Sequence, residues 1–432
     1  MPGDARTAQA SLLERAEKSI PGAALGVFSL PEKQRIVIES GQGSTVVDAN
    51  GKTYVDYLLS SGPLILGHAH PEVVAAVQKQ AALGSTYYAL NRPAIELAEL
   101  IVDAVPCAEA LRYQSTGSEA TFAALRLARA ATGRKLVLKF EGSFHGSHDV
   151  AQMTTARMMG RNSDETVAES AGLAERLADD VLIAPFNDLA AATDMVARHG
   201  AEIAAIIVEP LQRVLRPAPG FLEGLRDLST RHGIVLVFDE VVTGFRLAWG
   251  GAQELYGVEP DLACYAKAIG GGYPISAIAG RRDILELADK RRSGSETYSY
   301  LGGTLTGNPI SAAAGLACLN VLRRPGTYER LRALGDRLRD GLEQAGRQAG
   351  VPVQVLGEGP VLSPLISENR SIRMARDLDT VDKKMMVAWA HEMIDRGVLL
   401  TPGGKMYISL VHSDEDIERT IRAAHESFRA VR

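Results

Sequence analysis

Apolar and polar positions follow one pattern before about residue 93 and another after it. The first part opens with an amphipathic stretch, Ser11–Ser19, that ends at Ile20-Pro21-Gly22, where proline and glycine terminate a helix. Short alternating runs follow, at Arg35–Ile38, Ser44–Asp48 and Thr53–Tyr57. Asn50-Gly51 separates the last two runs, and this dipeptide is a strong hairpin signal between alternating segments. We therefore predict an N-terminal segment, residues 1–60, that contains a small sheet.

The second part of the chain repeats the order strand, turn, helix. Near-continuous apolar runs predict buried strands at Leu111–Gln114, Lys135–Phe140, Val181–Ala184, Ile203–Val208 and Ile234–Phe238. Helical periodicity lies between them, at Ser118–Ala131, Leu189–Arg198 and Phe221–Arg231. This alternation is typical of an α/β fold with a mostly parallel sheet covered by helices. We predict such a domain over residues 61–324, with its ligand at the carboxyl ends of the strands.

A third region begins after Pro325-Gly326 with a charged helical pattern over Tyr328–Gln348. Further strand-like and helical runs lead to a final predicted helix at Asp414–Ala430. We predict a second, smaller domain over residues 325–432.

Composition narrows the function classes. The 432 residues are 46% hydrophobic and carry a net charge of −5, so no basic excess indicates nucleic acid or an anionic membrane as partner. The longest weakly polar stretch, Ile310–Leu322, is shorter than the ~20 residues of a membrane span. Three scattered cysteines and the spacing of the histidines predict neither disulfides nor a metal site. Met1–Gln9 lacks an apolar signal core, so we expect a cytoplasmic globular protein.

Three segments could carry chemistry. Ser115–Ala120 lies between a strand and a helix, where backbone N–H groups and hydroxyls suit a phosphate, although Ser118 could equally be a helix cap. Asp239 ends a buried strand and could hold a cation or a protonated nitrogen, or serve as a turn residue. Lys267 follows an apolar run and precedes three glycines; it could form a Schiff base or be a surface lysine beside a flexible loop.

The three candidates together meet the demands of one cofactor, pyridoxal 5′-phosphate. Its phosphate needs hydrogen-bond donors, its ring nitrogen needs a carboxylate, and its aldehyde needs an amine. Neither a phosphate-loop GxxxxGK[ST] nor a dinucleotide GxGxxG is present, so a nucleotide-dependent enzyme is disfavoured.

Several ordered motifs carry a resemblance to a known family. They are Gly67-His68-Ala69-His70-Pro71, Ser115–Ala120, Phe140–Gly146, Val208-Glu209-Pro210, Phe238–Arg246, Lys267 with its glycines, and Gly303–Pro309. With these motifs the chain, from about Pro21 onward, resembles the class III aminotransferases. These are fold type I pyridoxal-phosphate enzymes, and the likeness is to their glutamate-1-semialdehyde aminomutase-like branch. The resemblance implies a large domain with a mostly parallel sheet and a smaller α+β domain built from the two termini.

The resemblance also implies roles for single residues. Lys267 becomes the catalytic lysine that forms the Schiff base and later moves a proton, and Asp239 the partner of the pyridinium nitrogen. The remaining cofactor-binding residues implied are Thr116, Gly117 and Ser118 at the phosphate, Phe144 and Val241 on the two ring faces, Gln212 near the ring hydroxyl, and Thr304. Thr304 is expected to reach the phosphate of the neighbouring subunit, which implies a homodimer.

Departures from the aminomutase pattern fall at its substrate-contacting positions. Gly22–Leu30 lacks the arginine of the Ser-Pro-Val-Arg segment, Ser61 replaces a tryptophan, and Thr401–Ser409 lacks Phe-Glu-Ala. We therefore expect an aminotransferase that passes an amino group from an amine or amino acid to a carbonyl acceptor by a ping-pong mechanism. The alternatives are an aminomutase and a non-catalytic pyridoxal-phosphate-binding protein. Phe28, Tyr87, Tyr88, Arg213 and Lys405 could face the substrate or serve only in packing and solvation.

Overall fold

The computed structural model describes residues 5–26, 30 and 34–432. The helices are α1 (Ala5–Ser19), α2 (Pro71–Ala81), α3 (Arg92–Ala104), α4 (Gly117–Thr132), α5 (Leu189–His199), α6 (Phe221–His232), α7 (Ala252–Tyr256), α8 (Arg282–Leu285), α9 (Pro309–Leu322), α10 (Thr327–Ala349), α11 (Lys383–Asp395) and α12 (Asp414–Val431). The strands are β1 (Ile38–Gln42), β2 (Thr45–Asp48), β3 (Thr53–Asp56), β4 (Ala110–Gln114), β5 (Leu136–Phe140), β6 (Met153–Thr155), β7 (Thr166–Ala168), β8 (Val181–Ala184), β9 (Ile203–Val208), β10 (Val235–Asp239), β11 (Leu262–Tyr265), β12 (Ser276–Gly280), β13 (Val353–Glu358), β14 (Val361–Ile366), β15 (Val398–Leu399) and β16 (Met406–Tyr407).

The chain forms two compact units. The larger unit consists of Glu72–Tyr328 and Ser371–Asp379, and the smaller unit of Met1–Pro71, Glu329–Arg370 and Thr380–Arg432. The smaller unit thus draws on both ends of the chain, as the fold-class prediction states. The predicted divisions fall after residues 60 and 324, and the return of Ser371–Asp379 to the larger unit has no counterpart in the prediction.

A seven-stranded sheet in the order β4-β12-β11-β10-β9-β5-β8 forms the centre of the larger unit. Adjacent strands of this sheet are parallel, except that β12 is antiparallel to both β11 and β4. The predicted mostly parallel sheet is therefore confirmed. Every residue of β5, β9, β10, β11 and β12 is buried, as expected for strands covered on both faces.

Helix α4 packs its apolar face into this sheet. Its alanines and leucines join apolar residues of β9, β10 and β11 in one core cluster, and Gly133 with φ +69° ends the helix. Strand β12 is not among the predicted strands, because its sequence Ser-Ala-Ile-Ala-Gly has one β-branched residue and no alternation.

The smaller unit contains the predicted N-terminal hairpin. β2 and β3 pair antiparallel around Asn50-Gly51, as predicted, and β3 also pairs in parallel with β15 near the C-terminus. The prediction of a strand at Arg35–Ile38 is wrong, because pairing with β2 runs from Ile38 to Gln42. The tight turn at Gly43, with φ +57°, sets this register, and residues 35–37 lie beyond the pairing.

A single apolar cluster of the smaller unit joins α10, α11 and α12 to β13 and β14. Trp389 and Phe428 stack at its centre with their ring centroids 5.1 Å apart. Within the described residues, no helix has the length and apolar character that a membrane crossing requires.

Candidate active site

The candidate residues lie where strands of the large sheet end. Asp239 is the last residue of β10, and β10 pairs in parallel with β11, whose end leads to Lys267. The segments after β4, β5 and β9 carry Ser115–Ser118, Glu141–His145 and Glu209–Gln212. Because parallel strands end at one edge of a sheet, these segments share the edge at which α/β proteins bind ligands.

Lys267 occupies a strained backbone position. Its φ is +45°, a left-handed conformation that is uncommon for any residue except glycine. The short turn that it begins is held against α9, where a side chain on Gly315 would come within 2.3 Å of the carbonyl oxygen of Ile269. Such strain persists when the surrounding packing enforces it, and it is concentrated at functional sites.

Asp239 is fixed by two hydrogen bonds. His145 donates from Nδ1 to Oδ2 over 2.8 Å, and the backbone N–H of Val241 donates to Oδ1 over 3.1 Å. Both side chains of the Asp239–His145 pair are buried. This arrangement gives the carboxylate one orientation at the strand end.

The start of α4 leaves backbone donors that are free of helical acceptors. Thr116 is the N-cap, and its capping box with Glu119 uses the N–H groups of Thr116 and Glu119. The helix provides no acceptor for the N–H groups of its first two residues, Gly117 and Ser118. Ser276 on β12 donates to the Thr116 carbonyl oxygen over 2.7 Å and holds this turn in place.

Close contacts bring these parts together. A side chain on Gly117 would lie 3.1 Å from the methyl groups of Val241 and 3.5 Å from Ala266, which precedes Lys267. A side chain on Gly146 would lie 2.5 Å from the hydroxyl of Ser118. The turn at the start of α4, the residue after the Asp239-Glu240 pair and the lysine turn therefore meet at one place.

Gln212 and Phe144 lie beside this centre. Gln212 is fully buried and donates from Nε2 to the carbonyl oxygen of Glu141 over 2.6 Å. Phe144 keeps 53% of its surface exposed, while its backbone N–H donates to the buried Glu209 over 3.1 Å. An exposed aromatic face beside a fixed amide can stack on a flat ring.

Thr304 is exposed in the turn before α9. Its expected contact with a second subunit stays a prediction.

Several residues at the site were missed by sequence reasoning. His145 lies in the motif Phe140–Gly146, but its hydrogen-bond partner Asp239 is distant in sequence. Glu141 accepts two hydrogen bonds from Arg376, of 2.6 and 2.7 Å, although 235 positions separate them.

Glu240 is fully buried and accepts hydrogen bonds from Thr243 and from the N–H groups of Ala252 and Gln253. Burial raises the pKa of Glu240 to about 7. No local sequence signal predicts such pairs.

The other substrate-side candidates are placed as follows. Tyr87 and Tyr88 are exposed in the larger unit, and in the smaller unit the ammonium of Lys405 lies 5.1 Å from the Tyr407 ring centroid. Phe28 lies outside the described residues. The described residues include no group of three or more histidine, cysteine or acidic side chains that could hold a metal ion.

The family model for "Aminotransferase class-III" matches residues 28–427. The chain is also 42% identical over 431 residues to the glutamate-1-semialdehyde 2,1-aminomutase of Desulforudis audaxviator, with 97% of each chain covered. The chain therefore belongs to the class III aminotransferase family, as its motifs indicate.

Solved structures show the same fold. An omega-transaminase from Sphaerobacter thermophilus matches with a TM-score of 0.91 and 31% identity, over 98% of both chains. A glutamate-1-semialdehyde-aminomutase from Pseudomonas aeruginosa PAO1 matches with a TM-score of 0.89 and 25% identity, over 98% of this chain and 94% of the other. The protein is thus a fold type I enzyme.

Pyridoxal 5′-phosphate is the cofactor of this family, and the site fits it. Gly117 and Ser118 offer N–H groups for a phosphate, Asp239 offers a fixed carboxylate for a ring nitrogen, and Lys267 offers an amine. Two buried polar atoms, Gln212 Oε1 and His145 Nε2, have no hydrogen-bond partner among the described residues. Both atoms are therefore able to form a hydrogen bond with a polar ligand.

Proposed function

We propose that this enzyme moves an amino group and that Lys267 and Asp239 are its catalytic residues. The observation that supports the proposal is the packing of Gly117 against Val241 and Ala266, since the proposed phosphate donors, carboxylate and lysine belong to these neighbouring turns. When bound, pyridoxal 5′-phosphate supplies an aldehyde that condenses with amines and a ring that accepts an electron pair from the adjacent carbon.

Each residue of the proposed site then has a defined role. Thr116, Gly117 and Ser118 bind the phosphate through the start of α4, and Asp239 keeps the ring nitrogen protonated. Lys267 carries a proton on Nζ between the substrate carbon and the cofactor, as a general acid and base. Phe144 and Val241 are the residues that would pack on the ring, and Gln212 is the residue that would contact the ring hydroxyl.

The first candidate for the reaction is a glutamate-1-semialdehyde-type aminomutase. Relatives that carry this name are 39–42% identical to the chain over nearly their whole length, which supports this candidate over the intermolecular transfer that the sequence analysis placed first. The reaction moves an amino group within one carbon skeleton and needs no second substrate.

The second candidate is an aminotransferase with a ping-pong mechanism between two molecules. It is favoured by the absence of an arginine in Gly22–Leu30, where the aminomutase resemblance expects one that binds the substrate carboxylate. The likeness to the omega-transaminase of Sphaerobacter thermophilus also supports it.

Product analysis and absorption spectra together distinguish the candidates. Glutamate-1-semialdehyde alone, added to the pyridoxamine form of the enzyme, should yield 5-amino-4-oxopentanoate if the enzyme is an aminomutase. An aminotransferase should instead lose its visible band when a suitable amine or amino acid is added and regain it with a carbonyl acceptor. A stable visible band with no response to either would support the non-catalytic alternative and contradict the proposal.

Two lysine variants control this experiment. Lys267→Ala should abolish the visible band and reduce turnover by roughly 10²–10⁴-fold or more, because the proton carrier is removed. Lys135→Ala, which changes an exposed lysine at the start of β5, should leave both unchanged. Normal turnover in Lys267→Ala would contradict the assignment of the catalytic lysine.

A further inference from the structure

A cavity of about 290 Å³ lies beside Phe144 in the larger unit. Apolar side chains form much of its wall, among them Phe140, Met153 and Ile183 from β5, β6 and β8. Its size approaches the range of pockets that bind small organic molecules. None of the cofactor roles assigned above, apart from that of Phe144, uses a residue of this cavity.

The polar groups of the cavity wall include a hydroxyl, a buried lysine and a carboxylate. The hydroxyl oxygen of Ser143 is buried and has no hydrogen-bond partner among the described residues. Lys139 is buried and donates to the carbonyl oxygens of Ala151 and Met153, over 2.6 and 2.8 Å, and burial lowers its pKa to about 8. The carboxylate of Glu169 also lines the cavity and interacts electrostatically with Lys139.

Arg213 adds a second cation to this cavity. Its guanidinium carbon lies 5.7 Å from the centroid of the Phe144 ring, and its side chain is exposed. Among the described residues no carboxylate forms an ion pair with it, so Arg213 is available to an external anion.

The backbone at Arg213 is strained. Its φ of +60° is a conformation that glycine adopts freely and that arginine adopts at a cost. Hydrogen bonds between the backbones of Gln212 and Leu215, of 3.0 and 2.8 Å, hold the turn. This fixed turn directs the arginine side chain to the cavity next to the ring-stacking residue.

From these observations we propose that the cavity binds the carboxylate and adjoining apolar part of the substrate, with Arg213 and Ser143 as the carboxylate ligands. The inference rests on the proposed function and names its substrate class: an amino or oxo compound with an apolar segment that ends in a carboxylate. Arg213 would thereby bind the substrate carboxylate, which the aminomutase resemblance assigns to an arginine that Gly22–Leu30 lacks.

The test uses the cofactor-saturated enzyme, so that the phosphate site is occupied, and two unreactive probes. Calorimetric titration with 3-phenylpropionate should show saturable binding, and the neutral 3-phenylpropanamide should bind about tenfold more weakly, because it lacks the charge. Arg213→Gln should weaken binding of the acid by about tenfold and leave binding of the amide unchanged. Arg213→Lys keeps the charge and should lose about threefold.

Two further variants place the binding in the cavity. Ser143→Ala should weaken binding of the acid by about threefold through loss of a hydroxyl donor. Arg126→Gln is the matched control, since Arg126 also lies over an exposed phenylalanine, 4.3 Å from the Phe122 ring centroid, and should bind the acid as the wild type does.

Any one of three results would overturn the proposal. They are equal affinity of the wild type for the acid and the amide, unchanged binding of the acid in Arg213→Gln, and no saturable binding of the acid. The titration needs no turnover, so its result is separate from the spectra that test the function. If binding depends on Arg213 but no donor reacts, the cavity assignment stands and the proposed function fails. If donors react but binding ignores Arg213, the function stands and the cavity assignment fails.

Discussion

Asp239 is a carboxylate with almost no freedom of orientation. One oxygen accepts from His145 Nδ1 and the other from the Val241 backbone, and only 5% of the residue is exposed. A ring nitrogen that approaches the strand end therefore meets a charged acceptor that needs no rearrangement. Preorganised groups of this kind stabilise charge that develops during a reaction more strongly than groups that must turn first.

Asp239→Asn should retain the cofactor but slow amino-group transfer. The phosphate site at α4 remains intact in this variant, whereas a neutral amide no longer favours a protonated ring nitrogen. We expect the rate of the half-reaction to fall by roughly 10²–10³-fold, as measured by stopped-flow absorption with a reactive donor. Asp261→Asn is the control for the general loss of a buried carboxylate, because Asp261 of the same unit accepts the N–H of Leu236 and pairs with two arginines, but lies outside the proposed site. An Asp239→Asn rate equal to that of the wild type would refute the role of this residue.

Among the elements of the fold, the segment Ser371–Asp379 returns from the C-terminal region to the larger unit and reaches the site. Arg376 pairs with the buried Glu141 through two hydrogen bonds, and the Glu141 carbonyl oxygen accepts from Gln212. Gly142 allows this approach, because a side chain there would lie 2.7 Å from Ala375. The segment therefore supports the residue that is proposed to contact the ring hydroxyl.

Arg376→Gln should disturb both stability and the cofactor environment. Removal of one partner leaves the Glu141 carboxylate buried without its cation, which should lower the free energy of unfolding by about 2–4 kcal/mol. If Glu141 positions Gln212, the pH midpoint of the visible cofactor band should also shift in a spectrophotometric titration. Arg157→Gln is the control, since Arg157 forms its ion pair with the exposed Asp164 of the same network. If Arg376→Gln is less stable but its visible cofactor band titrates as in the wild type, Arg376 has only a structural role.

The sequence predicts elements better than it predicts the contacts between them. The strands at Val181–Ala184 and Ile203–Val208 carry continuous apolar runs and lie where predicted, and Asn50-Gly51 marks a real hairpin. Motif resemblance also identifies Lys267 and Asp239 as candidates. The pairs Glu141–Arg376 and His145–Asp239 could not be predicted, because their partners meet only after the chain has folded.

For the molecule as a whole, buried histidines predict a loss of stability in acid. The His412 ring stacks on Tyr57 in the smaller unit, and burial lowers its pKa to about 4, although Asp416 and Asp56 oppose this shift. Burial also lowers the pKa of His148 in the larger unit to about 4. Both rings are therefore neutral in the folded protein at pH values where an unfolded histidine already takes up a proton.

The sign of the pH dependence follows from these lowered values. The unfolded chain binds the additional proton below about pH 6.5, so stability is complete above that value and falls as the pH drops towards 4. His412 alone should account for about 3 kcal/mol of this loss, measured as the free energy of urea unfolding between pH 7 and 4. His412→Asn should be less stable at pH 7 and show a flatter dependence on pH. A pH dependence as steep as that of the wild type would contradict the assignment to His412.

The predicted homodimer can be tested through Thr304, which is expected to complete the site of a second subunit. Lys267→Ala should inactivate the site of its own chain, and Thr304→Asp should inactivate the partner's site by placing a negative charge beside the phosphate. A hybrid dimer of these two chains, isolated with two affinity tags, then contains one site with both changes and one unchanged site. We expect about half of the wild-type activity from such hybrids, although both parent homodimers are inactive. The control hybrid joins a wild-type chain to a chain that carries both changes. If Thr304 acts across the interface, each of the two sites in this hybrid carries one change. The control hybrid should then be inactive. The opposite result, with an inactive first hybrid and a half-active control, would place Thr304 in the site of its own chain.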